Sequence, residues 1–127
     1  MPTVLSDRLY APTHEWILVE GDTLSVGITD FAQDAVGDIV FVNLPDEGAA
    51  LRAGDELCTL ESVKSVSPIY APTGGAVLAV NKELEDAPEK INQDPYGVWM
   101  VRMEAGNFDA SKYMDAGAYE AHCAAGG

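Results

Sequence analysis

Between Glu15 and Glu104 the chain repeats one device: a short run rich in Val, Ile, Leu and Thr, then a turn built from Gly, Asp or Pro. Runs this brief, punctuated this often, fit strands joined by tight connections and leave little room for long helices. "EWILVE" (15–20) and "TLSVGI" (23–28) flank Gly21-Asp22, the signature of a tight hairpin. "TDFAQDAVG" predicts a short helix, with Asp30 as cap, Gln33 three residues on, and Gly37 to end it. "IVFVNL" (39–44) is nearly all apolar and reads as a strand covered on both faces, closed by Pro45. Further runs follow Gly54-Asp55 and lie on both sides of Pro72-Thr73-Gly74-Gly75; residues 86–94 read as a polar loop or short helix. "VWMVRME" (98–104) is the last clear strand, and residues 109–124 have helical character, with Asp115 as cap. About seven strands with one internal and one terminal helix make an all-β sandwich or flattened barrel.

At 127 residues the chain is read as one domain, 1–127, with a C-terminal helical extension at about 109–124. Seven basic against 21 acidic residues leave a net charge of −14, which repels phosphate backbones and argues against nucleic acid. The same charge suits partners with basic docking surfaces. Cys58 and Cys123 lack metal-ligand spacing and suggest a reducing compartment, with Cys58 a small core residue. The first residues carry neither a signal-peptide pattern nor an Arg-rich transit pattern, and no apolar run approaches a membrane span. The expectation is a bacterial cytoplasmic protein.

Sites for chemistry are scarce. His14-Glu15 invites a zinc-protease reading, but that motif needs a second histidine four residues later, where Leu18 stands. Phosphate-binding glycine loops and nucleophile elbows are absent from the sequence. No metal site and no active site of the chain's own is expected. What stands out is Lys64, the one basic residue between Arg52 and Lys82, in "LESVKSVSPIY". The alternation breaks at "SVKSVS", which puts the lysine at or beside a hairpin tip, open to a modifying enzyme. Val63 and Val66 beside it either brace the loop or meet a partner. An ordinary solvated lysine is the alternative from spacing alone.

The sequence resembles the H-protein family of the glycine cleavage system, carriers of lipoic acid, from about Tyr10 to Tyr119. The resemblance rests on "HEW" (14–16), "VGITDFAQDAVGDIVFVNLP" (26–45), "ESVKSVSPIYAP" (61–72), "GGAVLAVNKELEDAPEKINQDPYG" (74–97) and "DAGAYEA" (115–121). It implies a barrel-sandwich hybrid of two small antiparallel sheets, with lipoate joined to Lys64 through an amide. Glu61, with Ser62, Val63 and Ser65, would shape the hairpin or guide a lipoyl ligase or lipoyl/octanoyl transferase. His14 and Glu15 would help form the cleft where the loaded arm folds back, Glu15 pairing with its amine.

The implied partners are a pyridoxal-phosphate glycine decarboxylase, a tetrahydrofolate-dependent aminomethyltransferase and a dihydrolipoamide dehydrogenase. The chain itself would be a monomeric, non-catalytic carrier. Two alternatives remain: a relay passing lipoate to other lipoyl proteins, and an unmodified acidic interaction domain. Two departures stand against the family pattern. Pro68 takes the place of a customary acidic residue, and "DPYGVWM" is one residue short before the tryptophan.

Overall fold

The structure, a computed structural model, describes residues 3–127; Met1 and Pro2 of the N-terminal reading lie outside the described residues. Nine strands form two antiparallel sheets, so the all-β reading holds, although two of the strands are only two residues long. The larger sheet contains β1 (Leu9–Tyr10), β2 (Glu15–Glu20), β3 (Thr23–Ile28), β5 (Ala50–Leu51), β8 (Gly75–Val80) and β9 (Val101–Glu104). Its order is β1-β2-β3-β9-β8-β5. The smaller sheet runs in the order β4-β6-β7, from β4 (Ile39–Asn43), β6 (Glu56–Ser62) and β7 (Val66–Tyr70).

Local chemistry explains most of these elements. In the β2–β3 hairpin Glu20 pairs with Thr23, and Gly21 alone of the two loop residues takes a positive φ, 63°. That is the pattern of a hairpin turn with glycine first, whose twist matches the strands. The helix α1 (Asp30–Val36) is capped one residue earlier than the sequence suggests. The Thr29 hydroxyl accepts from the Ala32 amide at 3.2 Å, while Asp30 enters the first turn and accepts from the Gln33 side chain. The short helix α3 (Lys90–Gln93) lies in the segment 86–94 read as a polar loop or short helix and buries Ile91, while α2 (Glu83–Asp86) takes the end of a run read as extended and buries Leu84. The final strand begins at Val101, three residues later than expected.

β4 overturns one expectation. A register shift between Ile39 and Phe41 turns Val40 and Phe41 both outward, 55% and 48% exposed, so the strand is covered on one face only. Inner side chains of both sheets, among them Val26, Val42, Leu60, Ile69, Val77 and Met103, share one apolar core.

A second, aromatic cluster closes the chain's ends. After a 3-10 turn at Ala110–Lys112 comes α4 (Ala116–Ala124), capped by Asp115 as the sequence indicates. Its buried Tyr119 stacks on Tyr10, with ring centroids 4.5 Å apart. The Tyr119 hydroxyl lies 2.6 Å from Thr29 Oγ1 and 2.7 Å from His14 Nδ1, which ties helix, α1 cap and β2 entry together. Trp16 completes the cluster by lying against Gly27, its partner across the β2–β3 pair. A Cβ at position 27 would meet the indole at 2.4 Å. Gly27→Ala is therefore expected to lower unfolding free energy by about 1–3 kcal/mol, read by urea denaturation, because the indole has no room to yield without strain.

Candidate functional site

Lys64 sits at the tip of the β6–β7 hairpin. The strands pair Leu60 with Ser67 and Glu61 with Val66, leaving Val63 and Lys64 as the loop between Ser62 and Ser65. Two-residue hairpins normally recruit Gly, Asn or Asp to reach positive φ. Here no loop residue does so, and a side chain supplies the closure. The Ser62 amide donates to the Ser65 carbonyl at 2.8 Å. The Ser62 hydroxyl in turn accepts from the Ser65 amide at 3.1 Å and the Lys64 amide at 3.3 Å. Ser65 contributes its backbone, and its hydroxyl lies 3.4 Å from that of Ser62.

The tip is thereby fixed while Lys64 itself projects into solvent. Among the described residues no ion pair holds its ammonium. Beside it lies a hollow of about 370 Å³ bordered by the end of α1 and by Asp38. Val63 and Val66, 80% and 62% exposed, do not brace the loop; they stand clear of it. Glu61 lies in the row between Phe41 and Val66, behind the tip.

Glu15 occupies a different setting. It begins β2, is 2% exposed and lines a cleft of about 320 Å³ with Thr13, Tyr70, Lys112 and Tyr113. The Thr13 hydroxyl donates to Oε1, whereas Oε2 is buried with no hydrogen-bond partner. Burial pushes the carboxyl up to about 7, with the Thr13 bond and backbone amides opposing it only in part. Lys112 lines the same cleft but makes no ion pair with this buried acid, whose Oε2 is left unsatisfied.

His14 does not line this cleft. It has the one positive φ of a non-glycine residue among those described, 73°, stacks on Phe31, and bonds to Tyr119 instead. Burial, then the nearby His122, holds its imidazole below the ordinary range. Cys58 is buried, as expected, and its thiol is pushed up by that burial, which makes it a poor nucleophile. No three His, Cys, Asp or Glu gather as metal ligands among the described residues.

Sequence reasoning misses the cleft's other walls. Tyr70 and the adjacent pair Lys112-Tyr113 come from two distant segments, and no spacing announces that they meet Glu15. The Thr13-x-Glu15 pair is the one local signal. Ser62 stands out in the sequence beside the lysine, but the acceptor role of its hydroxyl does not.

Comparison with known proteins gives the family. The sequence model described as glycine cleavage H-protein matches residues 8–125. The chain belongs to the glycine cleavage H-protein family. A glycine cleavage system H protein of Thermus thermophilus is 50% identical over 116 residues, spanning 90% of this chain and 91% of that protein. The one from Pseudoalteromonas atlantica is 50% identical over 123 residues, spanning 94% and 95%. The crystal structure of a glycine cleavage system H protein from Mycobacterium marinum superposes with a TM-score of 0.88 at 35% identity, covering 95% of this chain and 99% of that one. This likeness agrees with the two-sheet family fold expected from the sequence.

The raised Glu15 carboxyl makes stability depend on pH. Folded, it keeps its proton up to about pH 7; unfolded, it ionises near its ordinary 4.5. Its contribution is thus full below the unfolded value and lost as pH rises through 7, a change of roughly 3 kcal/mol. Urea denaturation between pH 5 and 8 should show Glu15→Gln gaining stability relative to the parent as pH rises. An equal pH dependence in both proteins would contradict this.

Proposed function

We propose that this chain is a lipoyl carrier of the glycine cleavage system, bearing lipoate as an amide on the Nζ of Lys64. The observation that carries this reading is the lysine itself: exposed, unpaired, and set on a hairpin tip closed by the Ser62 hydroxyl. Family membership supports it. The residues fit the group, since a free primary amine on a fixed tip is what amide formation requires. In that step Nζ bonds to an activated lipoyl carboxyl carbon, the activating group leaves with the bonding pair, and the ammonium charge is lost. When bound, lipoate supplies a disulfide that accepts a one-carbon amine and two electrons; the protein supplies presentation and shelter.

Glu15 provides the shelter in this reading. Its unpartnered Oε2 lies buried in the wall of a cleft that Tyr70 also lines, and Tyr70 ends the strand that leads away from the Lys64 tip. Six residues at strand rise put the two roughly 20 Å apart along the backbone. An amine brought into the cleft would complete the missing ion pair and draw the Glu15 proton off. Thr13 holds Oε1 and so aims the other oxygen. His14 acts at one remove, by fixing the start of β2 through Tyr119.

The chain works in this account as one domain, 1–127, with the 109–124 extension closing it. It is non-catalytic and monomeric, and it serves the decarboxylase, aminomethyltransferase and dehydrogenase in turn from a cytoplasmic location. The net charge of −14 opposes self-association and favours basic docking surfaces.

Incubation with lipoate, ATP and a lipoyl ligase should add one lipoyl mass, located on Lys64 by peptide mapping. Lys64→Arg should fold normally, take no added mass and support no glycine cleavage, since arginine keeps the charge but offers no amine of the same reactivity. Turnover at the parent rate would refute the attachment site. Pro68 stands exposed on β7, two residues before Tyr70, where it offers no charge to a passing amine. Pro68→Asp should therefore slow spontaneous release of the aminomethyl group, followed by formaldehyde appearance; an unchanged rate would remove Pro68 from the account.

A further inference from the structure

Tyr119 is buried, yet its hydroxyl ends on the turn that builds one wall of the Glu15 cleft. That turn runs from Ala11 to Glu15 and is closed by two backbone bonds. The Ala11 amide donates to the Glu15 carbonyl and the His14 amide to the Ala11 carbonyl, each at 2.9 Å. Ala11, Pro12, Thr13 and Glu15 line the cleft, whereas His14 turns away and stacks on Phe31. Its φ of 73° lies in a region that few residues with a side chain adopt. A conformation of that kind persists where its surroundings hold it. α4 holds the turn at two points. Proton supply fixes the direction of the first. The Thr29 hydroxyl already accepts from the Ala32 amide, and its own proton has one partner among the described residues, the Tyr119 oxygen. Tyr119 therefore gives its proton to His14 Nδ1, which accepts in the neutral ring. The second tie comes one turn further along α4, where His122 Nε2 donates to the Pro12 carbonyl at 2.9 Å.

We propose that Tyr119 is a positioning residue for the cleft: its hydroxyl holds His14 in the left-handed shape that sets Thr13 and Glu15 on the cleft side, with the Thr13 hydroxyl on Oε1. Its bearing on the arm rests on the shelter reading above, since an amine meets Oε2 only where the turn places it. Without the hydroxyl, His14 loses its acceptor bond and nothing on α4 opposes its return to ordinary backbone angles. The turn then relaxes and water reaches the carboxyl. Burial is the largest cause of the raised Glu15 titration, so that titration reports whether the turn is held.

The test is the titration of the Glu15 carboxyl in the full, unmodified chain, followed by carbon-13 NMR. Tyr119→Phe keeps the ring on Tyr10 and removes only the hydroxyl; its Glu15 should titrate about one pH unit or more below the parent. Adding His14→Gly to that variant should return most of the shift, because glycine takes a positive φ without strain. Lost packing alone would not be cured by removing a second side chain. Tyr10→Phe, whose hydroxyl bonds to Leu5 instead, should match the parent. Tyr70, Lys112 and Tyr113 across the cleft and Cys58 in the core also face the carboxyl, and they stay in place in every variant. If Tyr119→Phe does not fold, His14→Ala against His14→Gly puts the same question, and only alanine should lower the titration. Lipoylated and loaded with the aminomethyl group, Tyr119→Phe should release formaldehyde severalfold faster than the parent. A parent-like titration in Tyr119→Phe, or no recovery with His14→Gly, overturns the proposal. A shifted titration with unchanged release upholds the positioning by Tyr119 and overturns the shelter reading. No lipoyl mass on the parent overturns the lipoyl reading, and the titration still decides this one.

Discussion

Strand alternation along β6 and β7 is the constraint on which the lysine site depends. Leu60 and Ile69 must point inward to fill the core, so Glu61, Val66, Pro68 and Tyr70 must point out. A slip of one residue would bury the glutamate and expose the leucine. The core therefore fixes which way the hairpin faces, and the Ser62 hydroxyl fixes how it ends. Lys64 is held in place by groups that do not touch its ammonium. With this separation the side chain would lose its charge, in the proposed amide formation, without disturbing what supports it.

The cleft is built on the opposite principle. There the charge-bearing group is buried and its supports are incomplete. Glu15 has a hydroxyl on one oxygen and nothing on the other, and burial pushes its carboxyl up to about 7 against the partial relief of the Thr13 bond. An exposed amine and a hidden acid thus stand at the two ends of one strand's reach. The first is suited to being modified, the second to receiving a cation.

Much of the fold is legible in local signals, because those signals act over a few residues. Gly21-Asp22 specifies its hairpin, Asp115 caps its helix, and Gly37 ends α1 with a φ of 83°. The sequence misleads where two local choices are nearly equivalent or where tertiary structure decides. Thr29 and Asp30 both cap well, and the chain uses the first because its hydroxyl also meets Tyr119. The run 39–44 has Asn43 as its one polar residue, and nothing at Val40 or Phe41 betrays that they face outward, since the bulge that turns them is not a compositional event. At the site, Lys64 is conspicuous by isolation, but its role comes from the resemblance. The cleft is hidden, because Tyr113 and Glu15 lie almost a hundred residues apart and meet only when the ends of the chain do.

That meeting of the ends has a consequence for how the protein is made. β9 completes the larger sheet by pairing with β3, and Met114 bridges to Tyr10 before Tyr119 locks under β2. Contacts this distant in sequence form slowly and late. On a ribosome, β2 and β3 would wait for almost the whole chain to emerge before their sheet could close, whereas β6 and β7 need only each other to pair. Synthesis would therefore display the lysine hairpin before it completes the body that orients it.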